Sequence, residues 1–487
     1  MIPIIFKLRE SVRFEDRGDH SLIISEVPLN VVRASKRAEQ ILKLCDGIRT
    51  LPEIADEAGI VDDTKVFKIC DYFNKKAVLE IFVAGNLGYF PSITVVIPTR
   101  DRGESLVECL ESLYSQDYPS DRIEVIVIND GSLDETPKLA STFSCKLHTN
   151  PLSRGQAYCR NLGAQHAQGE ILAFLDDDCV AGRTWLRDLV PYFQWDEVAA
   201  VGGYVDGYKT SSLLDRYEME FSLLNLGKHM LRGEEDLSTF YIPTCNMLVR
   251  KKVFDETGGI RESLHLGEDV DFCWRMRDAA WKALYVPSGT VMHKHRNTLG
   301  KMLRRRADYG TSEAVLSSLH PHRMKSLQMR PLAAAAFLGF IFFIVSLNLI
   351  PLLATGAAFV AETAAKAISL HRKCIRISFG RISSSVLRMY MSYFYAMSFH
   401  LVRYYLVLLF LMGIVLHSLW ILAFCLLIYT ASVDYASKRP QLIFPVFLFY
   451  YFLDHLAYQL GVMAGCLRER SFRSYLVRHT RRRVSLP

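Results

Sequence analysis

The chain has 487 residues, a formal net charge of +7 at pH 7 and hydrophobic residues at 50% of its positions. This length allows two or three domains, and the hydrophobic positions concentrate after Pro331, which predicts a soluble front followed by a membrane-associated end. The eleven cysteines contain no CxxC pair, which argues against a disulfide framework and predicts free thiols in a reducing compartment. Much of the positive charge lies in the tail, residues 468–483. Basic residues beside apolar spans indicate a membrane surface rather than a nucleic-acid partner.

Residues 1–88 are predicted to form a small α+β module of winged-helix type. Strand-like stretches at 12–15 and 21–24 precede three helical patterns, and 78–82 closes the region with another strand-like run. None of the three helices carries a clear basic recognition face, which argues against DNA binding.

The stretch from Ala38 to Ala55, AEQILKLCDGIRTLPEIA, resembles the PqqD-like peptide-recognition fold. This resemblance implies that the module binds a ribosomally made peptide precursor by adding it as a strand to a sheet. The alternative is a domain that only packs on the enzyme. The sequence leaves both interpretations open.

From residue 93 onward, strands and helices alternate. Apolar runs at 93–98 and 123–128 flank a helical pattern at 104–115. This order predicts a parallel sheet built from βαβ units. A GxGxxG fingerprint is missing from the sequence, which argues against a nicotinamide enzyme.

Three carboxylates, Asp176, Asp177 and Asp178, directly follow the apolar run 171–175. Ligands of open α/β sheets collect at the carboxyl ends of the strands. Carboxylates crowded at that edge repel one another unless a cation lies between them. The pattern therefore predicts a divalent-metal site that holds a phosphorylated ligand. An acidic turn that caps the next helix is the alternative.

Asp130 ends the strand-like run 123–128 and is followed by Gly131. Its carboxylate could accept hydrogen bonds from a ribose hydroxyl or a base N–H, although a plain Asx turn fits the same residues. The stretch 153–163 opens a helix whose N-terminal amides, together with Arg154, could face a diphosphate.

Taken together, these residues resemble a family 2 glycosyltransferase of GT-A fold over roughly residues 90–300. The resemblance implies an α/β fold with a Rossmann-like mixed sheet, in which Asp130 recognises the nucleotide base. It also implies that Asp176 and Asp178 bind Mn²⁺ or Mg²⁺ bridging the diphosphate of a sugar nucleotide. The predicted donor-binding residues are Pro98, Thr99, Arg100, Asp130, Gly131, Arg154, Asp177 and Arg304.

The second half supplies the predicted acceptor side. Gly267 opens a helix with Glu268 and Asp269 in its first turn, where carboxylates often only stabilise the helix dipole. Family enzymes use a carboxylate of this motif as the general base for a sugar hydroxyl, and a single inverting displacement needs one such base. The predicted base is Asp269, with Glu268 as the alternative or as a residue that orients the acceptor.

A histidine that reaches the diphosphate-bound metal is common in this family. His293, which follows the strand-like Val291, is the predicted third ligand, and His295 is the alternative. Arg304 lies in a basic run at 304–306 that could neutralise the leaving diphosphate or lie at a membrane surface.

Further stretches resemble the mycofactocin-system glycosyltransferase family, namely GEDVDFCWR at 267–275, AWKALYVP at 280–287, YGTSEA at 309–314 with His320-Pro321, and LDHLAYQ at 453–459. This resemblance spans about residues 90–475. It implies transfer of glucose from UDP-glucose, as a β-1,4-linked oligomer, to the peptide-derived cofactor premycofactocin. The front module, residues 1–88, departs from this family because it looks like a complete peptide-recognition module. A peptide-derived acceptor and a glycan acceptor therefore both remain open.

The last third holds three candidate membrane segments, at 331–361, 404–430 and 442–467. A helical hairpin broken near Pro351 would keep the basic stretch 366–388 cytoplasmic. The prediction is a membrane enzyme of the cell inner membrane with a cytoplasmic catalytic domain, divided into regions 1–88, 89–325 and 326–487. The rival predictions are a membrane synthase of polysaccharide or lipid-linked glycan and a non-catalytic peptide-binding scaffold.

Overall fold

The computed structural model describes residues 4–26, 29–83, 88–232, 239–295, 298–323, 325–328, 330–372 and 374–480. The chain divides into two compact units. The first contains Met1–Tyr89 and Ala361–Met389, and the second contains Phe90–Val360 and Tyr390–Pro487. The division at residues 88 and 325 stays a prediction.

The first unit is a small α+β module, as predicted. The elements of its N-terminal part are β1 (Ile4–Leu8), β2 (Val12–Asp16), β3 (His20–Glu26), β4 (Leu29–Ser35), α1 (Lys36–Leu44), β5 (Asp46–Thr50), α2 (Leu51–Glu57), α3 (Asp63–Lys75) and β6 (Leu79–Val83). The strands form two antiparallel three-stranded sheets in the orders β5-β1-β6 and β2-β3-β4. The helices begin where sequence capping rules place them. For example, the Ser35 side chain accepts a hydrogen bond from the Ala38 amide.

The second unit is built around one mixed sheet. Its first half contains β7 (Ile93–Thr99), α4 (Gly103–Tyr114), β8 (Ile123–Asn129), α5 (Thr136–Ala140), β9 (Lys146–Thr149), α6 (Gln156–His166) and β10 (Ile171–Leu175). β7 and β10 are buried at every residue, as expected for strands covered on both faces. The four strands of this half are parallel, as predicted.

The second half adds β11 (Cys179–Ala181), α7 (Trp185–Leu189), β12 (Val198–Gly202), β13 (Val205–Gly207), α8 (Leu213–Phe221), β14 (Leu231–Arg232), β15 (Asn246–Arg250), α9 (Lys251–Glu256), α10 (Glu268–Asp278), β16 (Lys282–Tyr285), β17 (Val291–His293), α11 (Leu299–Leu319) and β18 (Lys325–Gln328). The eight-stranded sheet has the order β14-β16-β12-β15-β10-β7-β8-β9. Because β15 runs antiparallel to both of its neighbours, the sheet is mixed, and the predicted Rossmann-like fold class is confirmed. A separate small sheet, β11-β17-β13, lies next to the end of β10.

The chain continues in α12 (Pro331–Ser346), α13 (Ile350–Arg372), α14 (Phe379–Met412), α15 (Ser418–Lys438), α16 (Phe444–Arg468) and β19 (Val477–Thr480). Among the described residues, α13, α14 and α15 are long and apolar enough to cross a membrane. The hairpin predicted near Pro351 breaks at Leu347, which adopts φ 54°. The candidate segment 404–430 was wrong as one span, because it contains the turn between α14 and α15.

The candidate segment 442–467 becomes α16, which packs along α11 instead of standing apart as an apolar span. A Cβ atom on Gly461 would overlap the carbonyl oxygen of Ala307, and one on Gly310 would overlap that of Tyr458. Glycine at these positions therefore lets the two helix backbones approach each other closely. Asp454 and His455, the polar residues that weakened the span prediction, are buried in this packing.

Candidate functional site

Asp130 organises the loop that precedes α6. Its carboxylate accepts hydrogen bonds from the Arg154 amide at 2.8 Å, the Gly155 amide at 2.9 Å and the Ser153 hydroxyl at 2.7 Å. Burial alone raises the pKa of Asp130, but these bonds and one from Asn150 stabilise the ionised form and lower the pKa to about 2. The carboxylate is therefore ionised and holds the loop in place.

Two neighbours of this loop were also predicted as donor-binding residues. Gly131 adopts φ +72°, and a Cβ atom there would lie 3.1 Å from the Ser153 amide nitrogen, so the turn requires glycine. The Arg154 guanidinium lies over the Tyr158 ring at 3.5 Å from its centroid. Asp130 and its partners form a rigid turn at the end of β8.

The three consecutive carboxylates after β10 point in different directions. Asp177 accepts hydrogen bonds from the Thr99 hydroxyl at 2.8 Å and from Arg102 at 2.9 Å. Burial raises the pKa of Asp177 to about 6, although the Arg102 charge opposes the shift. Asp177 therefore fixes the end of β7, while Asp176 and Asp178 face a cavity.

Asp178 directly precedes β11, and His293 ends β17, the strand that pairs with β11. Cys179 is the register partner of His293, and His293 Nε2 lies 3.4 Å from Asp178 Oδ1. Candidate ligand atoms of Asp178, Cys179 and His293 all lie within 4.8 Å of one another. Burial raises the pKa of the Cys179 thiol well above its usual value, so the Asp178 carboxylate and the His293 imidazole are the groups of this cluster that could coordinate a cation. Oxygen and imidazole donors fit Mn²⁺, and oxygen-rich sites also accept Mg²⁺.

His295 is the neighbour of His293 in this cluster, and their Nδ1 atoms lie 3.3 Å apart. Burial lowers the pKa of His295 to about 3, so its ring is neutral. The geometry with Asp178 favours His293 over His295 as the metal ligand.

The acceptor-side carboxylates begin α10. Gly267 adopts φ 77° at the helix N-cap, and Glu268 and Asp269 follow in the first turn. Burial, and then the charge of Glu268, raises the pKa of Asp269 to about 7, while the Val270 amide and the Arg160 charge oppose the shift. A carboxylate with a pKa near neutrality suits proton transfer at the pH of a cell.

Arg160 connects the two halves of the site. It lies on α6 and is 1% exposed. Its guanidinium donates to Asp176 Oδ1 at 2.6 Å and to Glu268 Oε1 at 3.1 Å. The metal-side and acceptor-side carboxylates are therefore joined through one buried cation.

The carboxylates Asp176, Asp178, Glu268 and Asp269, together with Arg160 and both histidines, border one cavity of ≈ 1020 Å³. Of the predicted site residues, it is lined by Asp176, Asp178, Glu268, Asp269 and His293. The other predicted residues, all described by the structure, lie outside this lining: Pro98, Thr99, Arg100, Asp130, Gly131, Arg154, Asp177 and Arg304. The far part of the cavity is lined by aromatic residues of the C-terminal region, including Tyr404, Tyr405, Tyr458 and Tyr475. The C-terminal helices thus form a wall of the site.

The three arginines at 304–306, near the start of α11, lie in different environments. Arg304 is exposed, whereas Arg305 lines the cavity with its guanidinium 4.7 Å from the centroid of the Tyr309 ring. Arg306 is buried and donates to Asp454 at 2.6 Å and to Glu218 at 2.5 Å. Successive helical residues point about 100° apart, which separates the three side chains: Arg305 and Arg306 line the cavity, and Arg304 lies outside its lining.

Sequence reasoning missed Arg102 and the pairing role of Asp454, and it named Arg304 from the run 304–306 where the structure places Arg305 in the cavity lining. Arg102 donates to both Asp177 and Asp178 at 2.9 and 2.8 Å, and its position just after β7 was a usable signal. Asp454 also accepts a hydrogen bond from Arg403 at 2.9 Å. The Asp454 contacts join helices far apart in the chain, and the sequence carries no local signal for them.

The chain is similar to several known glycosyltransferases. Residues 94–258 match the family model described as "Glycosyl transferase family 2". The chain is 29% identical over 335 residues to the pre-mycofactocin glycosyltransferase of Mycobacterium tuberculosis, a match that covers 67% of this chain and 66% of that protein, just under two thirds of its length. It is 29% identical over 231 residues to the glycosyltransferase AglE of Haloferax volcanii, covering 46% of this chain and 73% of AglE.

Among solved structures, the chain is similar to the mannosyltransferase PcManGT from Pyrobaculum calidifontis in complex with GDP-Man and Mn²⁺. The TM-score is 0.39 at 20% identity, and the match covers 63% of this chain and 87% of that one.

Proposed function

We propose that this enzyme, whose residues 94–258 form a family 2 glycosyltransferase domain, transfers a sugar from a UDP-sugar to a hydroxyl acceptor with inversion. The donor sugar is glucose. The observation that carries the proposal is that Asp176, Asp178, His293, Glu268 and Asp269 all line one cavity. Metal-binding chemistry and a general base are thereby available to one bound substrate pair.

Asp176, Asp178 and His293 would hold the divalent cation, Mn²⁺ or Mg²⁺. A bound cation of this kind supplies positive charge to the departing diphosphate. Arg305 takes the role predicted for Arg304, because Arg305 faces the cavity and Arg304 does not. Its guanidinium would neutralise charge on the diphosphate.

Asp269 acts as the general base. Its carboxylate takes the proton of the acceptor hydroxyl while the hydroxyl oxygen attacks the anomeric carbon, and the bond from that carbon to the diphosphate breaks to release UDP. Glu268, held by Arg160 at 3.1 Å, orients the acceptor. One displacement with one base inverts the anomeric configuration.

The donor-binding role of the β7 and β8 ends is indirect for most residues. Asp130 and Gly131 would shape the loop that receives the base and ribose, with Arg154 at its rim. Pro98 and Thr99 are the last residues of β7 and Arg100 follows them. Asp177 fixes this end of the strand through the Thr99 hydroxyl. These residues set the shape of the nucleotide pocket.

The aromatic far part of the cavity would receive the acceptor. The similarity to the pre-mycofactocin glycosyltransferase supports a peptide-derived acceptor of the premycofactocin type, extended by several sugars. The front module would bind the ribosomal peptide precursor. The three apolar helices associate the enzyme with a membrane, and we propose the cell inner membrane with the catalytic domain on the cytoplasmic side.

A second candidate is synthesis of a lipid-linked glycan, which the same apolar helices favour. The test is incubation of the purified full chain with Mn²⁺, a panel of UDP-sugars and candidate acceptors, followed by measurement of UDP release and mass spectrometry of the products. A glycosylated peptide-derived product from UDP-glucose supports the proposal. A glycosylated lipid supports the second candidate, and absence of UDP release with every donor contradicts both.

A further inference from the structure

Arg160 is the one described side chain with hydrogen bonds to both a metal-side and an acceptor-side carboxylate. Its Nη2 atom donates to Asp176, which follows β10, and its Nη1 atom donates to Glu268, which begins α10. A guanidinium has a fixed planar fork of donors. A shift of one carboxylate therefore changes the hydrogen bond that Arg160 makes to the other carboxylate.

The hydrogen bonds through which Arg160 joins Asp176 and Glu268 are largely buried. Arg160 is 1% exposed and Glu268 is 8% exposed. In such surroundings charges are screened weakly, and removal of one partner leaves an uncompensated buried charge. The three groups therefore behave as one unit.

We propose that Arg160 is a positioning residue that couples occupancy of the metal–diphosphate site, through Asp176, to the alignment of the acceptor-side carboxylates Glu268 and Asp269. The inference rests on the proposed function, because it assigns the donor to Asp176 and the acceptor to Glu268 and Asp269. It adds that the two half-sites are energetically linked. Glu268 shares the guanidinium with Asp176, so loss of the Glu268 charge would leave the guanidinium to pair with Asp176 alone, in competition with a cation.

The Arg160 guanidinium also acts on the proposed general base, Asp269. The Arg160 charge favours the ionised form of Asp269, whereas burial and the Glu268 charge disfavour it. The other groups that interact electrostatically with Asp269 are Tyr241, Tyr309, Cys245 and Cys273. Arg160 is the cation among these groups, so its loss removes the charge that keeps the base ionised.

A thermodynamic cycle tests the coupling without turnover. Mn²⁺-dependent UDP binding is measured by calorimetry for the natural chain, Glu268→Gln, Arg160→Met and the double variant. With Arg160 present, Glu268→Gln should weaken UDP binding by about threefold, because the guanidinium then pairs fully with Asp176 and competes with the cation. Without Arg160 the same substitution should have no effect. An equal effect in both backgrounds, or none in either, overturns the inference.

Turnover gives an independent readout. Arg160→Met should lower kcat more than it raises the donor KM, and the rise of kcat with pH should move to higher pH. Arg160→Lys retains a positive charge, so it should keep the natural pH profile while losing the coupling to Glu268. An arginine that only supported the fold would reduce Tm without moving the pH profile.

The matched control is Arg250→Lys. Arg250 donates to backbone carbonyls, including that of Val198 at 2.8 Å, and contacts none of the cavity carboxylates in the described chain. The Arg250→Lys substitution should change Tm without changing the effect of Glu268→Gln on UDP binding. If Arg160→Met does not fold, Arg160→Lys replaces it in the cycle with the same expected loss of coupling. If UDP does not bind to the natural chain, the proposed function fails instead of this inference.

Discussion

The two sides of the cavity are assembled by different means. On the donor side, Asp130 follows β8 and Asp176–Asp178 follow β10, the two parallel strands on either side of β7. The order of the strands therefore brings these carboxylates to one edge of the sheet. On the acceptor side, the walls come from the start of α10, from α11 and from helices near the C-terminus. The donor side thus depends on sheet register, whereas the acceptor side depends on helix packing between distant segments.

This difference predicts how each side of the cavity responds to amino-acid substitutions. A substitution on the donor side should remove chemistry and leave the fold intact, because the strands beneath it are fully buried and hydrogen-bonded. A substitution in the acceptor wall should affect folding as well, because charged groups such as Asp454 and Arg306 are part of the packing. Four substitutions test this comparison.

The largest effect is expected for Asp178→Asn. The variant loses the carboxylate beside His293, and a lost metal contribution of several kcal/mol corresponds to a fall in turnover of roughly 10³-fold. Steady-state assays with Mn²⁺ titration measure it, and Tm should stay close to that of the natural chain. Glu256→Gln, in an exposed pair with Lys252, is the control. Unchanged Mn²⁺ dependence would show that Asp178 is not a ligand.

The next effect is expected for Asp269→Asn. Loss of a general base lowers turnover by roughly 10²–10⁴-fold, while UDP binding should be retained. Because burial raises the pKa of Asp269 to about 7, the base is protonated and inactive below that pH. The kcat of the natural enzyme should therefore rise with pH through about 7 and then level off. A variant with near-normal turnover would refute the assignment, and Glu268→Gln would then be the base candidate to test.

Asp454→Asn sharpens the comparison on the acceptor wall. It leaves Arg306 and Arg403 without their shared buried carboxylate, which should reduce the free energy of unfolding by roughly 3–5 kcal/mol. Chemical denaturation in detergent measures the change. Asp255→Asn, in a pair with Lys251 on a more exposed surface, should cost at most ~1 kcal/mol. Equal stability of the two variants would mean that the Asp454 pairs do not hold the wall together.

The smallest effect separates two neighbouring arginines. Arg305→Gln should lower kcat by about tenfold, the loss of one charge-assisted hydrogen bond, because Arg305 faces the cavity. Arg304→Gln should have a several-fold smaller effect, since its side chain is exposed. Side-by-side kinetics with one donor decide the matter, and a larger effect from Arg304 would reverse the assignment.

Much of the site could be predicted from the sequence because its signals are local. Asp176 and Asp178 directly follow an apolar strand, Glu268 and Asp269 follow a glycine that opens a helix, and each pattern fits within a dozen residues. The match of residues 94–258 to the family 2 model agrees with the enzyme class inferred from these patterns. The roles of the individual residues stay predictions, which the variants above address.

The rest was decided by tertiary structure. Hydrophobicity is the same whether an apolar helix faces lipid or protein, so the sequence could not show that α16 packs against α11. Similarly, residues 304–306 are equivalent in sequence, and only the rotation of α11 determines that Arg305 lines the cavity while Arg306 pairs with Asp454. The sequence determined which chemical groups end the strands and begin α10, because those positions follow from local periodicity. The bridge through Arg160 and the aromatic wall needed the folded chain, because they join side chains whose proximity is set by packing across the whole unit.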